Sequence, residues 1–449
     1  MDRRTFLALL STPAVVGLLQ ACGNDDSSGP ATTGSADTTG PTTPGGAAGE
    51  ARSLVARRPA DPALAAQAAA AVNAFGADLY TRLAGDGSAN LVCSPTSIAL
   101  ALAMTRAGAA GATAAEMDQV LHVADVGADP AALHLGMNSL TTELEARSGT
   151  FDVMGQPATV QLSIANSLWG QDGIAWVETF LDLLATQYGA GMRLVDYMAD
   201  TEGARQAINA WVADETEDRI PELLGQGTIT PDSRLTLVNA VYLKAPWLEP
   251  FPESQTTQTP FTTVAGSAVE VAMMRTRRSL PYASGDGWQA VDLPYAGGAL
   301  SMLIVVPDQG ALGAVEGALE GGLLDQAAAT LSSRDVIFGM PRFDLETKVE
   351  LNDVLASLGM PSAFAPGSAD FSGMTAEERL FVGMVIHQAN ITVDETGTEA
   401  AAATAVGMRA TSAPSEPPIE LTLDRPFLYA VRDIATGAVL FLGRVSDPS

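Results

Sequence analysis

Two hydrophobic periods divide the chain. In the early segments apolar residues recur at helical spacing: "PALAAQAAAAVNAFGADLYTRLAG" sets Val72, Phe75, Leu79 and Leu83 on one face of an alanine-rich run. "SPTSIALALAMTRAGAAG" opens on Ser94 as a capping hydroxyl with Pro95 pre-set for the first turn. "TAAEMDQVL" and "TEGARQAINAWVADETEDRIPELL" keep the helical phase. Later segments change character. "LTLVNAVYLK", "VEVAMMRT", "WQAVDLPYAG", "ALSMLIVVPD", "RDVIFGMPRFDLET", "MVIHQANITVDE", "IELTL", "PFLYAVRD" and "AVLFLGRVSDP" are β-branched or aromatic runs closed by turn residues, and they predict strands. Helices first and strands afterwards predict an α+β domain with large, mostly antiparallel sheets.

The N-terminus stands outside this pattern. "MDRRTFLALLSTPAVVGLLQACGNDDSSG" joins an arginine pair, Arg3–Arg4, to an apolar stretch from Phe6 to Leu19, the layout of an export signal over residues 1–22. Arg3-Arg4-Thr5-Phe6-Leu7 resembles a bacterial twin-arginine signal. Leu19-Gln20-Ala21-Cys22 resembles a lipoprotein box, which would make Cys22 the acylated mature N-terminus. The other reading is a plain secretory signal with an incidental cysteine. Either way export is expected, to the cell surface or the extracellular space. The apolar stretch is too short to favour a permanent membrane span. Residues 23–52 are rich in Gly, Ser, Thr, Pro and Ala and lack aromatics, which predicts a flexible tether. Random-coil scaling gives it a reach of roughly 30 Å. From residue 53 to 449 there is no second linker and no repeat, so one domain is expected.

Composition narrows the function classes. With 449 residues and 47% hydrophobic content the chain can bury a large core. Its 24 Lys and Arg against 52 Asp and Glu give a formal net charge of −28, which repels phosphates and anionic lipid heads and argues against nucleic acid. Only Cys22 and Cys93 are present, and Cys93 sits in "NLVCSPTSIALALAM", where a small buried thiol without a disulfide is expected. His122, His134 and His387 are far apart and form no H-E-x-x-H pattern, and no G-x-S-x-G elbow, P-loop or dinucleotide fingerprint occurs. No metal or cofactor, and no enzyme activity, is expected.

Several blocks carry a resemblance in collinear order. "NLVCSPTSIALALAMTRAGAAGATAAEM", "RIPELLGQGTITPDSRLTLVNAVYLKAPWLEPF", "PRFDLETKVELNDVLASLGMPSAFAPGSADFSGM", "VIHQANITVDETGTEAAAATAV", "LTLDRPFLYAVRD" and "GAVLFLGRVSDP" together resemble the serpin family over nearly everything after residue 60. The resemblance implies the serpin fold: three mostly antiparallel sheets, eight to nine helices and an exposed reactive-centre loop, here about residues 395–420. It implies a metastable protease inhibitor. The target protease cleaves the loop and forms its acyl-enzyme, and the freed loop then enters the central sheet as a new strand, dragging the attached enzyme with it. The partner would be a serine protease, with a cysteine protease as the alternative, and the inhibitor a monomer.

That mechanism makes demands on "DETGTEAAAATAV", residues 394–406, which by itself also reads as an alanine-rich helix or linker. Counted from the hinge acid Glu395, Gly397 gives the backbone freedom to swing. Thr398, Ala400, Ala402 and Thr404 alternate, so in a strand these small residues share the face that enters the core, while Glu399 falls on the opposite, solvated phase. Ala401 and Ala403 complete the small-residue hinge. No proline interrupts Gly367 to Ala413, and Pro414, Pro417 and Pro418 come later. The family's usual spacing from the hinge acid puts the scissile bond at Thr411–Ser412, with Arg409 and Met408 as competitors. A small residue at 411 suits an elastase-like or subtilisin-like pocket rather than one that pairs with arginine. Ser94, Ser97, Asn239 and His387 match the family's shutter cluster, and Trp247 matches its breach tryptophan. Cys93 replaces an aromatic more usual at its site, and Thr396 a charged residue. The alternative is a serpin-fold surface binding or carrier protein that no longer inhibits, for which bulky, charged or proline residues in the hinge would be typical.

Overall fold

The helical period of residues 62–83 has a defined start. Asp61 accepts a hydrogen bond from Ala63 N and Pro62 occupies the first turn of α1 (Pro62–Leu83). Ser94 caps α2 (Pro95–Arg106) in the same way, accepting from Ser97 N. The remaining helices are α3 (Gly111–Val120), α4 (Val123–Val126), α5 (Pro130–Glu145), α6 (Glu178–Leu183), α7 (Thr201–Glu215), α8 (Leu312–Gly317), α9 (Leu323–Thr330) and α10 (Asn352–Leu358). A computed structural model describes residues 49–85, 87–127, 130–399 and 417–449. The export signal with Cys22, hinge residues Ala400–Ala403 and the bond Thr411–Ser412 lie outside the described residues.

The strands are β1 (Glu50–Ala51), β2 (Leu91–Cys93), β3 (Gly149–Val153), β4 (Gln156–Gln171), β5 (Met192–Val195), β6 (Leu235–Pro246), β7 (Thr257–Thr262), β8 (Ala268–Gly285), β9 (Trp288–Pro294), β10 (Leu300–Pro307), β11 (Ser332–Pro341), β12 (Phe343–Glu350), β13 (Met384–Val393), β14 (Gly397–Thr398), β15 (Ile419–Thr422), β16 (Phe427–Asp433) and β17 (Val439–Val445). The first sheet runs β1-β5-β4-β6-β14-β13-β12, with β3 on β4. The second runs β15-β11-β8-β9-β10-β16-β17-β2, with β7 on β8. The three expected sheets are therefore hydrogen-bonded as two among the described residues. The cause is β8, one continuous strand that pairs with β7 and β11 and then, from Tyr282 to Gly285, with β9. The sheets share a core in which Trp247 stacks on Tyr295 and Phe343 meets Phe427 and Tyr429.

Two boundaries differ from expectation. Residues 49–52, assigned to the tether by composition, belong to the folded body, because Glu50–Ala51 pair with Arg193–Met192 of β5. The helical phase proposed through Leu224 stops at Glu215. There Thr216 Oγ1 donates to Val212 O and accepts from Ile220 N, Glu217 and Asp218 take positive φ, and Asn209 binds both the N–H and C=O of Leu224. These local side-chain bonds fold the segment back across the sheet instead of extending the helix.

Candidate functional site

The centre of the first sheet has two different halves. In the lower half β6 and β13 run parallel and pair directly over six rows, Thr236–Val241 with Met384–Ala389. That direct pairing stops at Val241 and Ala389. At the top β14 is wedged between them, with Gly397 opposite Pro246, and Thr398 opposite Ala245 on one side and Val393 on the other.

Each hinge residue is held by groups distant in sequence. Asp394 closes a turn, accepting from Thr396 N (2.7 Å) and Gly397 N (3.2 Å). Trp247 N donates to Thr396 O (2.8 Å) and its indole N–H to Asp394 O (3.0 Å). Phe251 N donates to Glu395 O (2.8 Å). Burial pushes the Glu395 carboxyl up, but hydrogen bonds from Arg342 (2.7 and 3.0 Å) and Thr256 outweigh that and hold it below its ordinary value. At Gly397 any Cβ would lie 2.3 Å from Ala245 O, so only glycine passes here. Thr398 is buried and its hydroxyl meets the Tyr295 hydroxyl at 2.7 Å, while Tyr295 itself stacks 4.6 Å from Trp247. Glu399 departs from the expected solvated position. Its φ is 51° and its carboxylate, 6% exposed, is bound by Arg219 at 2.7 and 2.8 Å.

Below, in the closed rows, Ser94, Ser97, Asn239 and His387 come together. His387 Nε2 accepts from Ser94 N (3.1 Å), so the ring proton sits on Nδ1 and is donated to Asn239 Oδ1. Asn239 Nδ2 donates to Ser97 Oγ and to Asn166 Oδ1, which also accepts from Ser97 Oγ (3.1 Å). Asn166 is the member that sequence reasoning missed. Complete burial holds the His387 imidazole down to about 3, so it is neutral at physiological pH. Cys93 is buried beside Leu442 O, and burial pushes its thiol up to about 12. His122 lies against Asp78 and Asp125, and His134 against Tyr188, both away from this cluster. Among the described residues no group of three or more His, Cys, Asp and Glu is placed to hold a metal.

The first sheet is thus closed below and wedged apart above by Gly397–Thr398. Comparison with known proteins places the fold. The family model described as "Serpin (serine protease inhibitor)" matches residues 70–448. An uncharacterized serpin-like protein of Thermococcus kodakarensis is 37% identical over 380 residues, covering 84% of this chain and 85% of its own. The leukocyte elastase inhibitor of Xenopus laevis is 36% identical over 379 residues, 83% of this chain and 97% of its own. Among solved structures, the thermophilic serpin tengpin in the native state superposes with a TM-score of 0.73 at 26% identity, over 88% of this chain and 96% of its own. Serpin48 of the insect Tenebrio molitor gives 0.74 at 28% identity, over 85% and 98%. The chain belongs to the serpin family.

Proposed function

We propose that this protein inhibits serine-type endopeptidases as a suicide substrate, trapping the acyl-enzyme by inserting its own cleaved loop into the first sheet. The observation that carries this reading is the seating of β14. Thr398 lies opposite Ala245 and Val393, and β6 and β13 keep one parallel register above and below. Carried down both strands residue by residue, that register would bring Ala400 between Leu243 and Ile391, Ala402 between Val241 and Ala389, and Thr404 between Asn239 and His387. Gly407 would reach Thr236 and Met384. Every residue on the buried phase from Thr398 to Thr404 is thus small, and no partner strand has to slip. Insertion exchanges one parallel pairing for two antiparallel ones, which adds ladder hydrogen bonds of the slightly stronger kind. A hinge built of bulky or charged residues would favour the carrier reading, and this hinge has neither on its inward face.

Cleavage at Thr411–Ser412 would leave the acyl bond four residues beyond Gly407, about 13 Å past the lower rows of the sheet. The small Thr411 fits an elastase-like or subtilisin-like enzyme, in keeping with relatives named as elastase inhibitors. We further infer export and acylation of Cys22, with the folded domain acting as a monomer. Incubation with such a protease is expected to give an SDS-stable complex and a released fragment whose N-terminal sequence begins at Ser412. Cleavage without complex for every serine and cysteine protease tried would refute the inhibitor reading.

A further inference from the structure

The described chain enters the folded body at the end of the first sheet opposite the hinge residues Gly397 and Thr398. Glu50 of β1 pairs with Arg193, Arg193 with Trp169, Trp169 with Thr236, and Thr236 with Met384, the lowest row of the direct β6–β13 pairing. The hinge sits at Ala245, nine residues further up β6, so entry and hinge are separated by about 30 Å along the strands. Direction is fixed as well. β1 is antiparallel to β5, β5 parallel to β4 and β4 antiparallel to β6. β1 therefore rises toward the hinge, with Gly49 and Glu50 at its lower end.

This entry point is clamped. Leu194 N donates to Gly49 O (2.6 Å), Arg52 donates to Gly189 O (2.7 Å), and Arg58 N donates to Thr186 O (2.8 Å). Arg57 binds Asn138 Oδ1 and both Glu145 oxygens at 2.8 to 2.9 Å. The segment is thus fastened to α5 and to the turn after α6.

We propose that the tether presents the reactive loop away from the surface that carries Cys22 and that trapping then delivers the protease back to the tethered pole, between the inhibitor and that surface. This rests on the inhibitor reading and on the acylation of Cys22 inferred with it, and extends them: residues 23–48 act as a spacer that must make room for the captured enzyme. A protease of about 230 residues is roughly 45 Å across. The chain from Cys22 to Gly49 spans at most roughly 95 Å, enough to clear it. Deleting residues 27–44 leaves a span of roughly 30 Å, which does not.

The test uses the mature chain from Cys22, coupled through the Cys22 thiol to phosphatidylcholine vesicles carrying a maleimide lipid; Cys93 is buried and does not compete. Full-length and 27–44-deleted proteins are titrated against a subtilisin-like or elastase-like protease, each coupled and each free. The expected result is equal stoichiometry of inhibition for both free proteins and for the coupled full-length protein. For the coupled deletion the stoichiometry should rise at least threefold, with cleaved inhibitor and released active enzyme. Equal stoichiometry for the two coupled proteins overturns the inference, as does impairment of the free deletion protein, which would put the effect in the fold. Absence of any complex from the free full-length protein refutes the inhibitor reading itself and the inference with it.

Discussion

Thr398→Arg is expected to convert the inhibitor into a substrate. The Thr398 side chain is 1% exposed, between Ala245 at 0% and Val393 at 1%, with the Tyr295 hydroxyl as its polar partner. An arginine cannot be seated there without burying an unpaired guanidinium at several kcal/mol. Overpacking adds about 1 to 3 kcal/mol. The hinge would instead withdraw into solvent, leaving the rest of the fold intact, and the first step of insertion would carry the whole penalty. At 1.36 kcal/mol per decade, a penalty of about 5 kcal/mol slows entry roughly 5000-fold. Deacylation then outruns trapping. The assay is the partition between SDS-stable complex and cleaved inhibitor, with Thr398→Ser as the control that keeps the hydroxyl and the inhibition. A Thr398→Arg protein that forms complex at the wild-type stoichiometry, with an unchanged melting temperature, would refute the claim that entry begins with this side chain.

Gly397→Ala places a Cβ 2.3 Å from Ala245 O and 2.6 Å from Pro246 Cα, so the hinge should leave the sheet. Because Trp247 donates to both Thr396 O and Asp394 O, its fluorescence should shift to the red; an unchanged spectrum would count against the seated hinge. If the loop inserts in the register proposed above, Thr404→Val should leave the parted Asn239 and His387 without a hydroxyl partner, costing the inserted state about 1 to 3 kcal/mol. Calorimetry would read this as a smaller gain in melting temperature on loop cleavage than Thr404→Ser gives. Burial lowers His387 to about 3, and burial with the nearby Arg106 lowers His134 to about 4. Above pH 6.5 neither folded nor unfolded imidazole is charged and nothing is lost; below it the unfolded chain takes up protons that the folded chain refuses. Stability should therefore fall from pH 6.5 downward, by about 2 kcal/mol per histidine at pH 5. Urea midpoints should show it, and His134→Gln should flatten the slope; a flat profile for the parent protein would contradict the neutral burial of both rings.

The inward phase of Thr398 was legible in the sequence because a strand has period two, and Thr398 does face inward. What holds the hinge was not. Arg342, Thr256, Tyr295 and Arg219 reach it from distant parts of the chain, and no local pattern announces such partners. Glu399 was expected in solvent because phase says nothing about a neighbouring element that covers the surface; Arg219 does so. Asn166 had a signal, a polar residue amid the alternation of "QLSIANSLWG", yet only the β4–β6 register sets it beside Asn239. α5 also escaped, although Leu133, Met137, Leu140 and Leu144 form a fully buried helical stripe. Between them lie Asn138 and Ser139, which break the apolar impression because they serve the N-terminal segment, bonding Arg57, Arg58 and Asp61.

The segment that folds back after α7 gains a second meaning once the sheet is seen as two plates meeting at the β6–β13 seam. α7 rests on β4, β5 and β6, all on one plate. The residues after it reach over to the other: Asn390 of β13 donates to Arg219 O (3.2 Å), and Lys348 of β12 to Glu222 O (3.1 Å). Admitting one more strand widens the seam by about 4.8 Å, more than either bond can stretch. Both must be given up as the plates part, together with the bond between His387 and Asn239. The early end of α7 thus leaves a short clasp across the seam, one that any parting of β6 from β13 has to unfasten.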